Sequence, residues 1–365
     1  MVTVIVGGQF GDEGKGKIIS YIATKDKPKI IARAGIGPNA GHTVYKNGKR
    51  YALRMIPCGF VNDRARLLIG AGVLVDPKVL LKEIKETKTK GRCFVDKRCA
   101  IIEQKHRDLD SSNKHLSEII GSTKTGCGPA NADRVYRTVK LAQDVPELKG
   151  YVTDVPLELD EAINKGEKVL IEGTQGFALS LYYGTYPFVT SKDTSASTIA
   201  ADVGVGPTKI DDVMVTFKAY ITRVGGGPLR TEINAGNIKK HVLWSNLLKK
   251  AKKDGIDKRD VNTTLAEYLD EKGTVTGRYR RVGNFDFELA KYSIMVNGAT
   301  QLAVTCLDKL FPECFGVRGF EELSNNAKSY LKNIEKKLGL KASLISTGPD
   351  INHMIDLRQN GGRKS

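Results

Sequence analysis

The chain opens with Met1-Val-Thr-Val-Ile-Val6, a β-branched apolar run that leads straight into Gly7-Gly-Gln-Phe-Gly-Asp-Glu-Gly-Lys-Gly-Lys17. A helical pattern begins at once with Ile18-Ile19-Ser20-Tyr21. Strand, glycine-rich turn, lysine and helix in that order confine the fold to α/β architectures, because they aim backbone N–H groups and a helix dipole at one point beyond the strand. A phosphate fits there. The spacing is not the standard G-x-x-x-x-G-K pattern: Gly8 lies one residue too far from Gly14-Lys15, and Gly16 stands where a metal-binding hydroxyl belongs. A plain tight turn accounts for the glycines but not for Asp12, Glu13, Lys15 and Lys17 together. Asp12 needs a reason of its own, since a carboxylate in a phosphate loop repels its ligand unless it binds a metal or takes a proton.

Further strand-like runs fall at Lys29 to Ala32, Leu67 to Ile69, Lys168 to Glu172, Asp212 to Thr222 and Gln301 to Leu307. Helical patterns fall between them, at Pro77 to Glu86, Asn131 to Ala142, Glu158 to Lys165 and Glu322 to Leu338. This alternation predicts an α/β fold with a large, mostly parallel central sheet flanked by helices and a P-loop-like phosphate-binding loop after the first strand. No low-complexity boundary divides the chain, so residues 1–360 are expected to form one catalytic domain, with an insertion at about 234–262 and a disordered tail at 361–365. Within the insertion, Ile238, Val242, Leu248 and Ala251 share one helical face, with Lys239, Lys240, Lys249 and Lys250 elsewhere.

Lysine and arginine number 58 against 41 acidic residues, a net charge of +17, which suits a polyanion, a membrane surface or a small phosphorylated substrate. No aromatic-interleaved basic stripe accompanies the charge, so polynucleotide is not the expected partner. No apolar run reaches the roughly eighteen residues that a bilayer demands, and the N-terminus has no signal-peptide pattern. A cytoplasmic location is expected. The six cysteines show neither a C-x-x-C pair nor a histidine at zinc-ligand spacing, and are expected to be free thiols.

A second cluster, Gly35-Ile-Gly-Pro-Asn-Ala-Gly-His-Thr43, follows the next strand and offers His42 as an acid or base at a loop. Taken together, Gln9 to Lys17 and Asn39-Ala-Gly-His-Thr-Val44 resemble the adenylosuccinate synthetase family. The similarity continues in order through Gly121-Ser-Thr-Lys-Thr-Gly-Cys-Gly-Pro-Ala130, Glu172-Gly-Thr-Gln-Gly176, Gly184 to Ser191, Thr222-Arg-Val-Gly-Gly-Gly-Pro228, Gly273-Thr-Val-Thr-Gly-Arg278 and Ser346-Thr-Gly-Pro-Asp350. The compact length is similar to that of archaeal-type members.

The resemblance implies an enzyme that joins L-aspartate to IMP with GTP and Mg2+, releasing adenylosuccinate, GDP and phosphate. It implies that Asp12 takes the proton from purine N1, so that the six-position oxygen attacks the γ-phosphorus. It makes His42, Lys15 and Gln175 the other catalytic groups, with Asp12 and the Gly41 carbonyl as magnesium ligands. IMP would be held by Asn39, Thr123, Gln175, Thr190, Val224 and Arg278, and by Arg137 reaching across from the second subunit of a homodimer. L-Aspartate would be held by Thr274, Thr276, Arg278 and Arg280. GTP would contact Gly11, Glu13, Gly14, Lys15, Gly16, Lys17, Gly41 and Thr43, with Asp308, Gly348 and Pro349 at the guanine.

The chain departs from the family pattern at several points. Phe10 replaces a usual Trp, Tyr279 interrupts an arginine run, Asn284 stands where Trp is common, Leu229-Arg230 replaces Phe-Pro, and Cys306 occupies a frequent Lys position. Two alternatives follow: a phage-type sister enzyme that condenses L-aspartate with dGMP, and a non-catalytic guanine-nucleotide-binding module. Asp12 favours IMP over dGMP, because many of the phage enzymes carry Ser there. Asp12, His42, Gln175 and Arg278 together speak against a mere binding module.

Overall fold

A computed structural model describes residues 1–46, 48–273 and 277–358. Ten strands form the main sheet: β1 (Val2–Gly7), β2 (Ile30–Arg33), β3 (Arg66–Ile69), β4 (Cys93–Asp96), β5 (Val152–Thr153), β6 (Val169–Glu172), β7 (Asp212–Lys218), β8 (Gln301–Thr305), β9 (Ala342–Ser346) and β10 (Met354–Asp356). Across the sheet the order is β10-β9-β8-β7-β1-β6-β2-β3-β4-β5. Every neighbouring pair is parallel except β9 with β10 at one edge.

Helices cover both faces, so the inner strands are apolar on both sides. Val4 and Val6 of β1 pack with Phe217, Ile199 and Val203 on one face, while Ile5 packs with Ile18, Ile19 and Ile22 of α1 (Lys15–Asp26) on the other. β1 therefore lies at the centre of the sheet with the helix that follows it laid back over the sheet. The first helical turn starts just past the carboxyl end of the strand.

The boundaries differ from the sequence reading where local geometry overrides the pattern. The run Asp212 to Thr222 is two strands: β7 stops at Lys218, and Ile221–Arg223 pairs antiparallel with Arg281–Gly283. A bend at Ala219-Tyr220 takes the chain out of the sheet. The helix expected at Asn131 to Ala142 runs from Cys127 to Tyr136, because Arg137 takes a left-handed conformation (φ 62°) and ends it. The helix expected at Glu158 begins at Val155 behind the Asp154 cap, and the one expected at Glu322 begins at Asn325 behind the Ser324 cap. In the 234–262 segment, a 3₁₀ turn at Ile238–Lys240 precedes the helix Val242–Lys253. The break at His241 shifts the phase, so Trp244, Leu247 and Ala251 are buried and Val242 is 74% exposed. The tail 361–365 lies outside the described residues. Among the described residues no helix is long and apolar enough to cross a membrane.

Gly7, Arg33, Glu172, Lys218, Thr305 and Ser346 are each the last residue of a strand, and all lie at the carboxyl edge of the parallel sheet, where ligands of such folds gather.

Candidate active site

The turn between β1 and α1 is braced from within. The buried Glu13 carboxylate accepts from Gln9 N at 2.9 Å and Gly11 N at 2.8 Å with one oxygen, and from Lys15 Nζ at 2.7 Å with the other. Lys15 also donates to the Gln175 carbonyl and, at 3.4 Å, to that of Gly11. A Cβ on Gly7 would come within 2.3 Å of Glu13 Oε2, so the brace requires glycine at the strand end. Gly14 (φ 76°) precedes α1 with no side-chain cap, leaving the first amides of the helix for another acceptor. On the far side, Lys17 donates to Ser346 Oγ at 2.6 Å and to the carbonyls of Gly348 and His353. Burial pushes its amine down to about 8 against the opposing pull of Asp308. Glu13 and Lys17 thus serve the shape of the loop, and Lys17 fastens it to the segment holding Gly348 and exposed Pro349. Asp308 lies near Lys17, and burial raises its carboxyl above the ordinary range.

The two oxygens of Asp12 have different surroundings. Oδ2 accepts from the Thr222 hydroxyl and lies 3.0 Å from Arg280 Nε and 3.5 Å from Lys218 Nζ. Oδ1 is buried and has no partner. Behind this carboxylate, Glu271 binds Lys218 at 2.6 Å, Arg280 at 2.7 Å and the Tyr220 hydroxyl. Two cations and two carboxylates balance in the cluster. Burial raises the Asp12 carboxyl, but Lys218, Arg280, Thr222 and Lys15 together outweigh it and hold it below the usual range.

His42 is buried at the start of the strand His42–Lys46, with Nδ1 2.5 Å from Glu172 Oε1. Glu172 also accepts from Arg33 at 3.0 Å and from Cys58 N at 2.6 Å. Gly16 allows this approach: a Cβ there would sit 3.0 Å from Cys58 Sγ and 3.1 Å from His42 Cβ. Burial first, then Arg33, pushes His42 down to about 4 against the pull of Glu172, so the ring is neutral near pH 7. With Nδ1–H donating to Glu172, Nε2 is an acceptor, and it is buried without a partner.

Two adjoining cavities open here, the smaller of them lined by Asp12 and His42. The smaller, about 140 Å³, is bounded by Asp12, Gly41, His42, Gln175, Gly273 and Arg280. The larger, about 360 Å³, is bounded by Thr123, Thr190, Arg223 and Arg278 among others, and Phe10, Asn39, Gln175 and Val224 line both. Asn39 Oδ1 is buried without a partner, and its amide lies 3.5 Å from Thr190 Oγ1. Gln175 is left-handed (φ 57°), which turns its carbonyl to Lys15. Arg278 donates to the Gly121 carbonyl at 3.1 Å.

Most of the candidate residues are therefore gathered around the carboxyl edge of the sheet. Arg280 faces Asp12 and Glu271 from inside the cluster. Arg137 is exposed beside Val135 and Tyr136 and lines neither cavity of its own chain. Thr274 and Thr276 lie outside the described residues. The sequence reading did not assign roles to Arg33, Cys58, Glu172, Lys218, Thr222, Arg223 and Glu271. The available signal was a charged residue closing an apolar strand, as in Ile30-Ile-Ala-Arg33, Val169-Leu-Ile-Glu172 and Val215-Thr-Phe-Lys218. All six cysteines are free thiols, as expected.

The sequence profile of the family described as adenylosuccinate synthetase matches residues 4–146 and 138–314. The adenylosuccinate synthetase of Methanosphaera stadtmanae is 55% identical over 359 residues, 98% of each chain, and that of Archaeoglobus fulgidus is 56% identical over 357 residues, again 98% of each. Among solved structures, the fully ligated adenylosuccinate synthetase from Plasmodium falciparum superposes with a TM-score of 0.85 at 26% identity, over 97% of this chain and 99% of that one. The succinoaminodeoxyadenylate synthetase of cyanophage S-2L, bound to dGMP and dATP, shares the fold at a TM-score of 0.75 and 22% identity, over 98% and 95%. On the full-length archaeal matches and the profile together, the chain belongs to the adenylosuccinate synthetase family.

Proposed function

We propose that this chain is a ligase that joins L-aspartate to IMP at the expense of GTP, giving adenylosuccinate, GDP and phosphate through a 6-phosphoryl-IMP intermediate. The observation that carries the reading is Asp12: one oxygen is anchored by Thr222, Lys218 and Arg280, and the other is buried, unpartnered and next to the cavity that also receives His42.

The oxygen at purine C6 is a poor leaving group and must be phosphorylated before an amine can displace it. Asp12 Oδ1 accepts the N1 proton, and the electron pair released moves to O6, which attacks the γ-phosphorus. The cations behind Oδ2 make Asp12 a weak base, so the proton moves only as the O6–P bond forms. Lys15 and the first amides of α1 would neutralise the negative charge that the transferring phosphoryl group gathers. As that charge develops, His42 Nε2 takes up a proton from solvent water and directs it at a phosphoryl oxygen, while Glu172 steadies the imidazolium through Nδ1. The aspartate amine then attacks C6, the C6–O6 bond breaks, and phosphate leaves with the proton that the amine sheds.

The donor set fits Mg2+. Asp12 Oδ1 is a buried hard oxygen with two lone pairs, Gly41 lines the same cavity and would add its carbonyl, and the ion bound there would neutralise triphosphate charge. GTP specificity would rest on Asp308, with Gly348 and Pro349 against the base and Gly11, Gly14, Gly16 and Thr43 around the phosphates. Asn39, Thr123, Thr190 and Val224 would hold IMP. Arg278 and Arg280 would bind the aspartate carboxylates, which requires Arg280 to exchange Asp12 for the amino acid. The exposure of Arg137 supports a homodimer in which it completes the partner's nucleotide site, and the free thiols suit a cytoplasmic setting.

Incubation with GTP, Mg2+ and L-aspartate plus either IMP or dGMP tests the assignment. Adenylosuccinate from IMP is expected; product from dGMP alone would transfer the chain to the sister activity, and GTP binding without aspartate-dependent phosphate release would leave only a binding module.

A further inference from the structure

Arg223 closes the strand Ile221–Arg223, is 2% exposed and has a role in neither of the charge clusters above. Its guanidinium stacks 4.5 Å from the Phe10 ring centre and 6.0 Å from that of Phe188. Nη1 donates to the Pro228 carbonyl at 2.6 Å and to Thr185 Oγ1 at 3.1 Å, and Nη2 donates to the Phe188 carbonyl at 3.0 Å. Nε is buried and has no acceptor. The loop closes tightly on this group: a Cβ on Gly227 (φ 87°) would come within 2.4 Å of Nη2.

What sets Arg223 apart is its missing counter-charge. Arg33 faces Glu172 and Arg280 faces both Asp12 and Glu271, but among the described residues no carboxylate forms an ion pair with Arg223. Burial, and then the like charge of Arg281, push it down to about 10. A buried, uncompensated cation is costly to keep unless an anion meets it in the working state. Arg223, Phe10 and Phe188 are all walls of the larger cavity, and Thr190 follows Phe188 by two residues along the same wall.

The geometry points to Arg223 as a positioning residue of the acceptor-nucleotide cavity. It ties the Phe10 turn, the 185–188 segment and the 224–228 loop together, and its uncancelled charge meets the phosphate of the nucleoside monophosphate. The inference rests on the acceptor reading of that cavity and adds a residue to it. The two parts separate experimentally, since fastening loops affects nucleotide and nucleoside alike, whereas charge affects only the nucleotide.

The test is calorimetric or competitive binding of IMP against inosine, and of dGMP against deoxyguanosine, to the full chain as wild type, Arg223→Lys and Arg223→Met. Arg223→Met is expected to lower the nucleotide-to-nucleoside affinity ratio at least tenfold. Arg223→Lys should recover much of it, and KM for GTP should stay within threefold. A second measurement needs no variant: because Arg223 is buried and screened far less than a surface charge, the wild-type ratio is expected to change less than threefold between 50 and 500 mM salt. An unchanged ratio in Arg223→Met, an Arg223→Lys no better than Met, or a wild-type ratio that collapses tenfold or more with salt each overturns the inference while leaving the acceptor reading intact. Wild type that binds GTP but neither monophosphate overturns both.

Discussion

Glu172→Gln changes one carboxylate oxygen to an amide nitrogen at the join between the sheet and His42, the proposed catalytic histidine. The carboxylate neutralises Arg33, orients His42 Nδ1 and accepts from Cys58 N, all within 3.0 Å and all without solvent. Removing one partner of a buried ion pair costs about 3–5 kcal/mol, and a glutamine that still accepts from Cys58 N belongs near the lower figure, about 3 kcal/mol. An unfolding entropy of about 2.1 cal/mol/K per residue over the 365-residue chain gives about 0.8 kcal/mol/K, so the melting temperature should fall by about 4 °C. The catalytic effect is separate. Exchanging a hydrogen bond to the imidazolium, worth about 1.5–3 kcal/mol, for a neutral one worth about 0.5–1.5 loses about 1–1.5 kcal/mol, roughly a 5- to 12-fold fall in kcat, with KM for GTP little changed. Calorimetry and a coupled phosphate-release assay read the two quantities independently. Arg33→Met in the same chain should restore part of the lost stability, because no orphaned cation then remains. A melting shift under about 1 °C with kcat within threefold, or strictly additive single and double variants, would refute the role given to Glu172.

Asp12→Ala should lose phosphoryl transfer while GTP affinity stays within about an order of magnitude; a turnover near wild type removes the proposed base. Arg137→Leu should raise KM for IMP, and hybrid dimers pairing it with an Asp12→Ala subunit should recover one working site, whereas no recovery at all contradicts a shared site. Lys17 gives a pH signature. Its folded value of about 8 lies below the unfolded 10.5, so between the two the unfolded chain binds more protons and stability rises with pH. Relative to Lys17→Gln, wild type should therefore gain about 1.6 kcal/mol between pH 8 and 9.5, the slope approaching about 1.4 kcal/mol per unit only above pH 8, in denaturant titrations. A flat or falling difference would show that the folded amine keeps its proton throughout this range, so that burial does not lower it.

The sheet and the first loop were legible because their signals are local. An apolar run followed by glycines and a helix start has few other meanings, and Asp12, Lys15, His42 and Gln175 all stand in such turns. Arg33 and Glu172 were not legible in the same way. Each is one charged residue at the end of an apolar run, and only the parallel register that sets Glu172 beside Arg33 turns two strand ends into an ion pair. Lys218 was hidden by its own surroundings: Asp212 to Thr222 read as one long strand, so nothing marked the bend that brings Lys218 and Thr222 onto Asp12. Val242 shows the opposite error, a pattern carried through a break at His241 that shifts the helical phase. Arg137 is still assigned by resemblance alone, because it lines neither cavity of its own chain.

Six strand termini, each contributed from a different stretch of the polypeptide, converge on one rim. No peptide excised from this molecule, however faithfully it kept the glycine-rich turn, would inherit the chemistry, because the turn supplies only one corner of the arrangement. Anyone wishing to transplant the reaction onto another scaffold must therefore transplant the breadth of the sheet as well.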